Sequence, residues 1–219
     1  MRELYVNTFL TLDGVMQAPG GPEEDPVEGF SQGGWSVNYW DGLMGEVMDE
    51  ATARPFDLLL GRKTYEIFAA HWPHVTGDSM ADTLNAATKY VASRTLTRLD
   101  WANSHLLEGD AADAVRRLKE ESGPEIQVHG SSDLVQTLLE ADLVDRFGVW
   151  IFPVVLGTGK RLFGDGTIPA GMRLLDSKTS STGVLIATYE RAGDIPYGSF
   201  ALEDPTEAEL SRRESLGES

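Results

Sequence analysis

The stretch Phe56-Asp57-Leu58-Leu59-Leu60-Gly61-Arg62-Lys63-Thr64-Tyr65-Glu66 decides how the chain is read. An apolar run of strand length stops at a residue with no side chain, and two cations and a hydroxyl follow at once. The pattern is a buried strand, a tight turn and the first turn of a helix, so backbone N–H groups, positive charge and a hydroxyl donor converge above a sheet edge. Gly61, Arg62, Lys63 and Thr64 thereby outline a phosphate site. The same residues also have a purely structural reading, in which Gly61 makes the turn, Thr64 caps the helix and the cations face water.

Two more strand ends repeat the theme. Lys89 to Thr95 runs an apolar strand into Ser93 and Arg94. Glu125 to Leu134 runs another into Gly130, Ser131 and Ser132, just before a helix whose buried positions are Leu134, Leu138, Leu139 and Leu143. Small side chains let a backbone approach a diphosphate, and a helix N-terminus supplies partial positive charge. Plain turns remain the structural alternative.

With 219 residues, 41% hydrophobic and 24% charged, the chain is long enough for one full core, and one domain is the default. The absence of cysteine excludes disulfides, thiolate catalysis and cysteine-ligated metals, and suits a reducing cytoplasm. No targeting signal is visible, and no apolar run approaches the roughly 20 residues of a spanning helix, so a cytoplasmic location is expected. A net charge of −17 repels nucleic acid and anionic lipid, so neither is an expected partner. A small anionic ligand needs local cations.

Leu4 to Leu10 reads as an inner strand that ends at the Asp13-Gly14 turn. Residues 17–34 hold five glycines, three prolines and four acids in eighteen positions, a loop long enough to be a cover, with its acids expected to be solvated. Trp35 to Trp40 leads into a helix whose Leu43, Met44, Val47, Met48 and Ala51 form a sheet-facing stripe. Trp35 and Tyr39 either wall a pocket for a flat substrate or are core, and Asp41 is a natural N-cap. His71-Trp72-Pro73-His74 is read without a metal, because the proline splits the helical face and no other ligand type is near in sequence. Helices are expected within 77–87 and over 111–121, the latter with Val115 and Leu118 inward and Arg116, Arg117, Lys119 and Glu120 outward. Gly157-Thr158-Gly159-Lys160 is neither a P-loop nor a dinucleotide fingerprint, since Arg161 and Leu162 stand where those motifs require other residues. Closing strands are expected at 173–177 and 184–191, and 193–219 is an acidic extension, expected to be disordered in part.

In order, these motifs resemble the dihydrofolate reductase-like family, in particular its riboflavin-biosynthesis reductase branch. GRKTYE is similar to its second strand-to-helix turn, LTLDG to its first strand end, KYVASRTL to its third strand and VHGSS to its glycine turn. PVVLGTGKRLF is similar to a hallmark of the riboflavin branch. The resemblance spans residues 3–191 and implies a three-layer α/β domain over 1–192 with a mostly parallel central sheet and antiparallel closing strands. It implies that NADPH is the cofactor, held by Gly61, Arg62, Lys63, Thr64, Ser93, Arg94, Gly130, Ser131 and Ser132. Two cations with oriented donors suit a dianionic 2′-phosphate, which favours NADPH over NADH. It further implies substrate contacts from Asp13 and an acid on the following helix, for which Asp41, Glu46 and Asp49 compete and Asp41 is chosen; Trp35 and Tyr39 are taken beside it as pocket walls. The expected reaction is hydride transfer to a C=N or C=O bond of a small, heterocyclic, pterin- or pyrimidine-like molecule, in a protein that forms a homodimer. The alternative is a non-catalytic domain that binds NADPH or another nucleotide or sequesters a metabolite. His129 stands where the riboflavin branch carries glutamate, which counts against the riboflavin precursor; it either donates a proton or is packed.

Overall fold

The computed structural model describes residues 1–216. Apolar runs with β-formers give eight strands: β1 (Leu4–Thr11), β2 (Phe56–Gly61), β3 (Lys89–Ala92), β4 (Ser104–Leu106), β5 (Glu125–His129), β6 (Arg146–Phe152), β7 (Met172–Thr179) and β8 (Leu185–Arg191). They form one sheet in the order β4-β3-β2-β5-β1-β6-β8-β7. All neighbours are parallel except the β6-β8 and β8-β7 pairs, which close the sheet antiparallel. The parallel strands need crossover helices, and those cover both faces.

Phe56, Leu58 and Leu60 of β2 pack toward α2 (Arg62–His71) and α3 (Ser79–Ala86), together with Tyr65, Leu84, Val91 and Trp101. Leu59 points the other way, with Leu4, Val6 and Leu10 of β1, into the core under α4 (Ala111–Glu120) and α5 (Ser132–Glu140). Leu58, Leu59 and Leu60 are fully buried, each contributing about 2 kcal/mol. A third cluster holds Met44 and Met48 of α1 (Gly42–Thr52) against Trp150, Phe152 and Ile186. Helices α1 to α3 thus form one layer, the sheet a second, and α4 with α5 a third.

The register of β1 opens the cleft. β1 pairs with β5 only from Leu4 to Asn7, where Asn7 meets His129, whereas it pairs with β6 through to Thr11. Beyond Asn7 one edge of β1 has no strand beside it, so the sheet parts above the β5 end, where ligands of such sheets gather.

Three local features stand beside the expectations, one of which, the outward Lys119, is corrected. β4 was not anticipated, because three mostly exposed residues carry no alternation. Lys119 does not face outward: its ammonium is buried and donates to the Leu143 carbonyl at 2.7 Å and to Asp145 Oδ2 at 2.6 Å. The acidic extension carries helix α6 (Glu207–Leu216), and its last three positions lie outside the described residues. No helix among the described residues is long and apolar enough to cross a membrane.

Lys89 is fully buried, donating to the carbonyls of Asn85 (2.7 Å) and Ala102 (3.1 Å), with its Nζ 4.3 Å from the Trp101 ring centroid. Burial lowers its pKa from 10.5 to about 8. The unfolded chain then binds more protons between these values, so this group makes stability rise with pH from about 8 to 10.5. Urea unfolding across that range should show a steeper rise for the parent chain than for Lys89→Met; equal slopes would mean Lys89 is not perturbed.

Candidate active site

The cleft is built where two turns are bonded to each other. The Gly61 N–H donates to Ser131 Oγ at 3.0 Å, and the Ser131 N–H donates to Thr64 Oγ1 at 2.9 Å. The Ser131 hydroxyl also donates to the His129 carbonyl at 3.2 Å. Gly130 and Ser131 both adopt positive φ, 56° and 57°, which turns β5 sharply into α5. A Cβ on Gly130 would come within 3.3 Å of Thr64 Oγ1, so side-chain bulk there would push the turns apart. Thr64 does not cap α2, as the structural reading had it; Gly61 holds the N-cap position and Thr64 braces the neighbouring turn.

Helix capping separates these two helices from the rest of the layer structure. α1, α3 and α4 are each capped by an aspartate, Asp41, Asp78 and Asp110, accepting from the third residue on. α2 and α5 have no side-chain cap. Their first-turn N–H groups are left without an intrahelical or capping partner, the condition that binds anions at helix N-termini.

Both N-termini open on a cavity of about 830 Å³. Gly61, Arg62, Lys63, Thr64, Ser93, Arg94, Gly130, Ser131 and Ser132 all line it, so the structure brings the nine residues into one cleft. Arg62 is held loosely, pairing at 3.1 Å with Glu66 one turn along an exposed face. Arg94 makes no hydrogen bond or ion pair among the described residues. Lys160, on the glycine loop, lines the cavity too, a position that its motif did not mark. Its ammonium pairs with Asp25 at 2.9 Å, and Lys63 lies 3.9 Å from the same carboxylate. The neighbouring Lys160 pushes the Lys63 pKa down, with burial adding to the effect.

The loop over 17–34 supplies Gln17, Ala18, Pro19, Gly20, Glu24 and Asp25 to the wall, so two of its acids face the cavity instead of bulk water. Burial raises the pKa of Glu24, whose carboxylate accepts from the Gly20 and Gly21 N–H groups. The glycine loop that is no P-loop anchors this cover. The Lys160 N–H donates to Gln17 Oε1, Met16 donates to the Lys160 carbonyl, and Val15 bridges Arg161. Gly159, at φ 117°, leaves 2.7 Å between a would-be Cβ and Val15, so only glycine fits.

Four residues expected at the site lie outside the cavity lining. Asp41 caps α1 through Met44 N–H (3.0 Å) and also takes the Ser181 N–H and hydroxyl, each at 2.7 Å. The Ser181 bonds, with the Met44 cap, hold its pKa below the ordinary carboxylate value, and it does not line the cavity. Asp13 accepts from the Thr11 hydroxyl and the Gly157 and Leu156 N–H groups, which ties the first turn to the glycine loop, and it does not line the cavity. Trp35 is buried, its indole N–H donating to the Gln17 carbonyl at 2.8 Å, and Tyr39 packs edge-on to Phe152. Of the aromatics in 35–40, Trp40 reaches the cavity, stacked on Trp150 at 6.0 Å. His129 is packed: it bonds Gln127 at 3.0 Å, and burial lowers its pKa to about 4, so it is neutral near pH 7.

The remaining wall is apolar, with Phe9, Met48, Ile67, Phe68, Trp72 and Met80 around Asn7 and Thr8 of β1. The helical stripe marked Met48, but nothing in the sequence marked Asn7. No group of three metal-binding side chains occurs among the described residues.

Thermal unfolding should place Asp41→Ala below the parent chain by about 1 kcal/mol, because a cap is lost; an unchanged midpoint would mean that the cap contributes nothing. The His129 imidazole NMR shifts should stay flat from pH 8 down to pH 5.5, and a midpoint near the ordinary value of 6.5 would show an exposed ring.

Known proteins resemble this chain in sequence and in fold. The Bacillus subtilis (strain 168) protein YyaP is 28% identical over 204 residues, covering 88% of this chain and 96% of its own. The solved structure of a Shewanella sp. PV-4 protein with a provisional riboflavin-biosynthesis name superposes with a TM-score of 0.61 at 20% identity, covering 87% and 99%. The Thermotoga maritima diaminohydroxyphosphoribosylaminopyrimidine deaminase/5-amino-6-(5-phosphoribosylamino)uracil reductase superposes with a TM-score of 0.56 at 16% identity, over 87% of this chain and 57% of that one. Residues 2–186 match the model of the RibD C-terminal domain, and the chain belongs to that dihydrofolate reductase-like reductase family.

Proposed function

We propose that the protein is an NADPH-dependent oxidoreductase that delivers hydride to a C=N or C=O bond of a small, heterocyclic, pterin- or pyrimidine-like acceptor. The observation that carries this reading is the pair of uncapped helix N-termini. Where α1, α3 and α4 spend an aspartate on their first turns, α2 and α5 leave theirs open to the same cavity as Arg62, Lys63, Arg94 and Lys160. Such a donor set fits a diphosphate and a ribose phosphate, and the cavity volume lies within the range of cofactor sites.

The bound cofactor supplies the hydride, and the chain supplies the geometry. The first-turn N–H groups of α2 and α5 would hold the diphosphate, and Arg62 with Arg94 would take the 2′-phosphate. The parting of β1 from β5 leaves room for a flat ring against Thr8 and Phe9. The 17–34 loop keeps water from the transfer, and Gln17 fixes its foot by donating to the Asp25 and Val27 carbonyls. With Asp41 outside the cavity, the proton is supplied by water. One observation favours a non-catalytic reading instead, namely that no carboxylic acid stands in the apolar part of the cavity.

Loss of NADPH absorbance across a panel of cyclic imines and ketones separates the readings, since tight NADPH binding without turnover would leave only the second. Arg62→Ala and Arg94→Ala should each weaken NADPH by about tenfold to a hundredfold, the worth of a hydrogen bond to a charged group, and leave NADH little changed. Equal losses for both cofactors would remove the 2′-phosphate assignment.

A further inference from the structure

The two edges of the sheet differ. β4, at one end, is three residues long, whereas β7, at the other, runs for eight, seven of them exposed. No backbone N–H or C=O of 172–179 is bonded outside the β7-β8 ladder among the described residues. A long unpaired edge is a template for another strand, and monomers blunt it with proline, charge or a short strand. β7 is not short and has no proline.

Its side chains are apolar where a monomer's edge is normally polar. Leu174 and Leu175 are 51% and 44% exposed, and Met172 on the same strand and Leu185 on β8 are exposed as well. The arm that follows β8 adds to this surface. It is rooted at the edge, where the Gly171 N–H donates to the Gly193 carbonyl at 2.7 Å, and beyond that point Tyr197, Phe200 and Leu202 stand exposed.

The charges of the edge fit a second copy of the same edge. A bulge between Leu174 and Asp176 breaks the alternation of β7. Arg173 pairs with Glu190 and Asp176 with Thr188, which are two positions apart on β8, so Arg173 and Asp176 share one face although they are three apart on β7. Two copies related by a two-fold axis meet edge to edge in an antiparallel sense, and every contact is then made twice. The register that sets Arg173 of each copy against Asp176 of the other also sets Leu174 of each against Leu175 of the other. Arg173 is engaged with Glu190 of its own chain, but its side chain stays 67% exposed and open to a second carboxylate. In a chain with a net charge of −17, an edge that carries both signs is where two copies approach with little repulsion.

We infer that the protein is a two-fold dimer joined along β7, with the two sheets continuous across the axis, the leucines at its centre and two reciprocal Arg173–Asp176 pairs beside them. The inference is independent of the reductase reading, since no residue of β7 or β8 lines the cavity.

Sedimentation equilibrium of the full chain should give twice the chain mass. Arg173→Asp and Asp176→Arg each set like charges against each other twice, and each should raise the dimer dissociation constant by at least about tenfold. Mixed in equal amounts, the two variants should form a dimer within about threefold of the parent's affinity, because each then meets the opposite charge at both contacts. Leu174→Lys should also dissociate the dimer and serves if a charge variant does not fold, with urea unfolding as the check on each chain. A parent that stays monomeric, a dimer indifferent to these substitutions, or charge variants that remain monomeric when mixed would overturn the inference.

Discussion

The site depends on a reciprocal clamp of two hydrogen bonds, from the Gly61 amide to the Ser131 hydroxyl and from the Ser131 amide to the Thr64 hydroxyl. Neither turn could hold its shape alone. A residue with φ of 57° outside glycine is strained, and Ser131 keeps that conformation because three bonds, including one to the His129 carbonyl, fix it. The clamp engages the Ser131 hydroxyl with the Gly61 amide and the Thr64 hydroxyl with the Ser131 amide, which leaves the later first-turn amides of both helices to face the cavity. A rigid pair of helix N-termini pays less reorganisation on meeting an anion than flexible side chains do.

The sheet makes that clamp possible and then makes room beside it. β2 and β5 pair from Phe56 to Leu58, so their ends emerge side by side and their turns come within bonding distance. β1 continues past β5 because β6 supports its other edge as far as Thr11. The free edge of β1 between Asn7 and Thr11 is thus a consequence of unequal strand length, and the apolar helices α1 to α3 roof it. On the far side, the Gly157-to-Lys160 loop ties the first turn of the chain to the base of the cover through Asp13 and Gln17.

Much of this was legible in the sequence because it is local. Strand, glycine and helix follow one another within a few residues at Gly61 and Gly130, so pattern alone locates the turns. All nine residues named for the cofactor line one cavity. What escaped was set by tertiary partners. Asp41 and Asp13 looked like chemistry because carboxylates at strand and helix ends can do either job. Only the positions of Ser181, 140 residues away, and Gly157, 144 away, show that both are engaged in structure. Trp35 and Tyr39 shared a stretch with Trp40, and composition cannot say which ring turns to the cavity. Asn7 sits in a strand that reads as core, and its place in the cavity wall is a fact of three dimensions. Lys119 was placed outward by helical period, yet its long stem lets the ammonium reach the Leu143 carbonyl from a buried position.

The carboxylate of Asp25 already lies between the ammoniums of Lys63 and Lys160, on a loop that lines the cleft. Any anion that settles between these two lysines must therefore trade places with a charge the chain carries itself, so the event is ion exchange and not ion capture. The local charge balance changes little in such a trade, which keeps two adjacent cations tolerable in the empty cleft. It also joins occupancy of the phosphate turns to the position of the cover, since the displaced aspartate has to carry its segment of chain elsewhere.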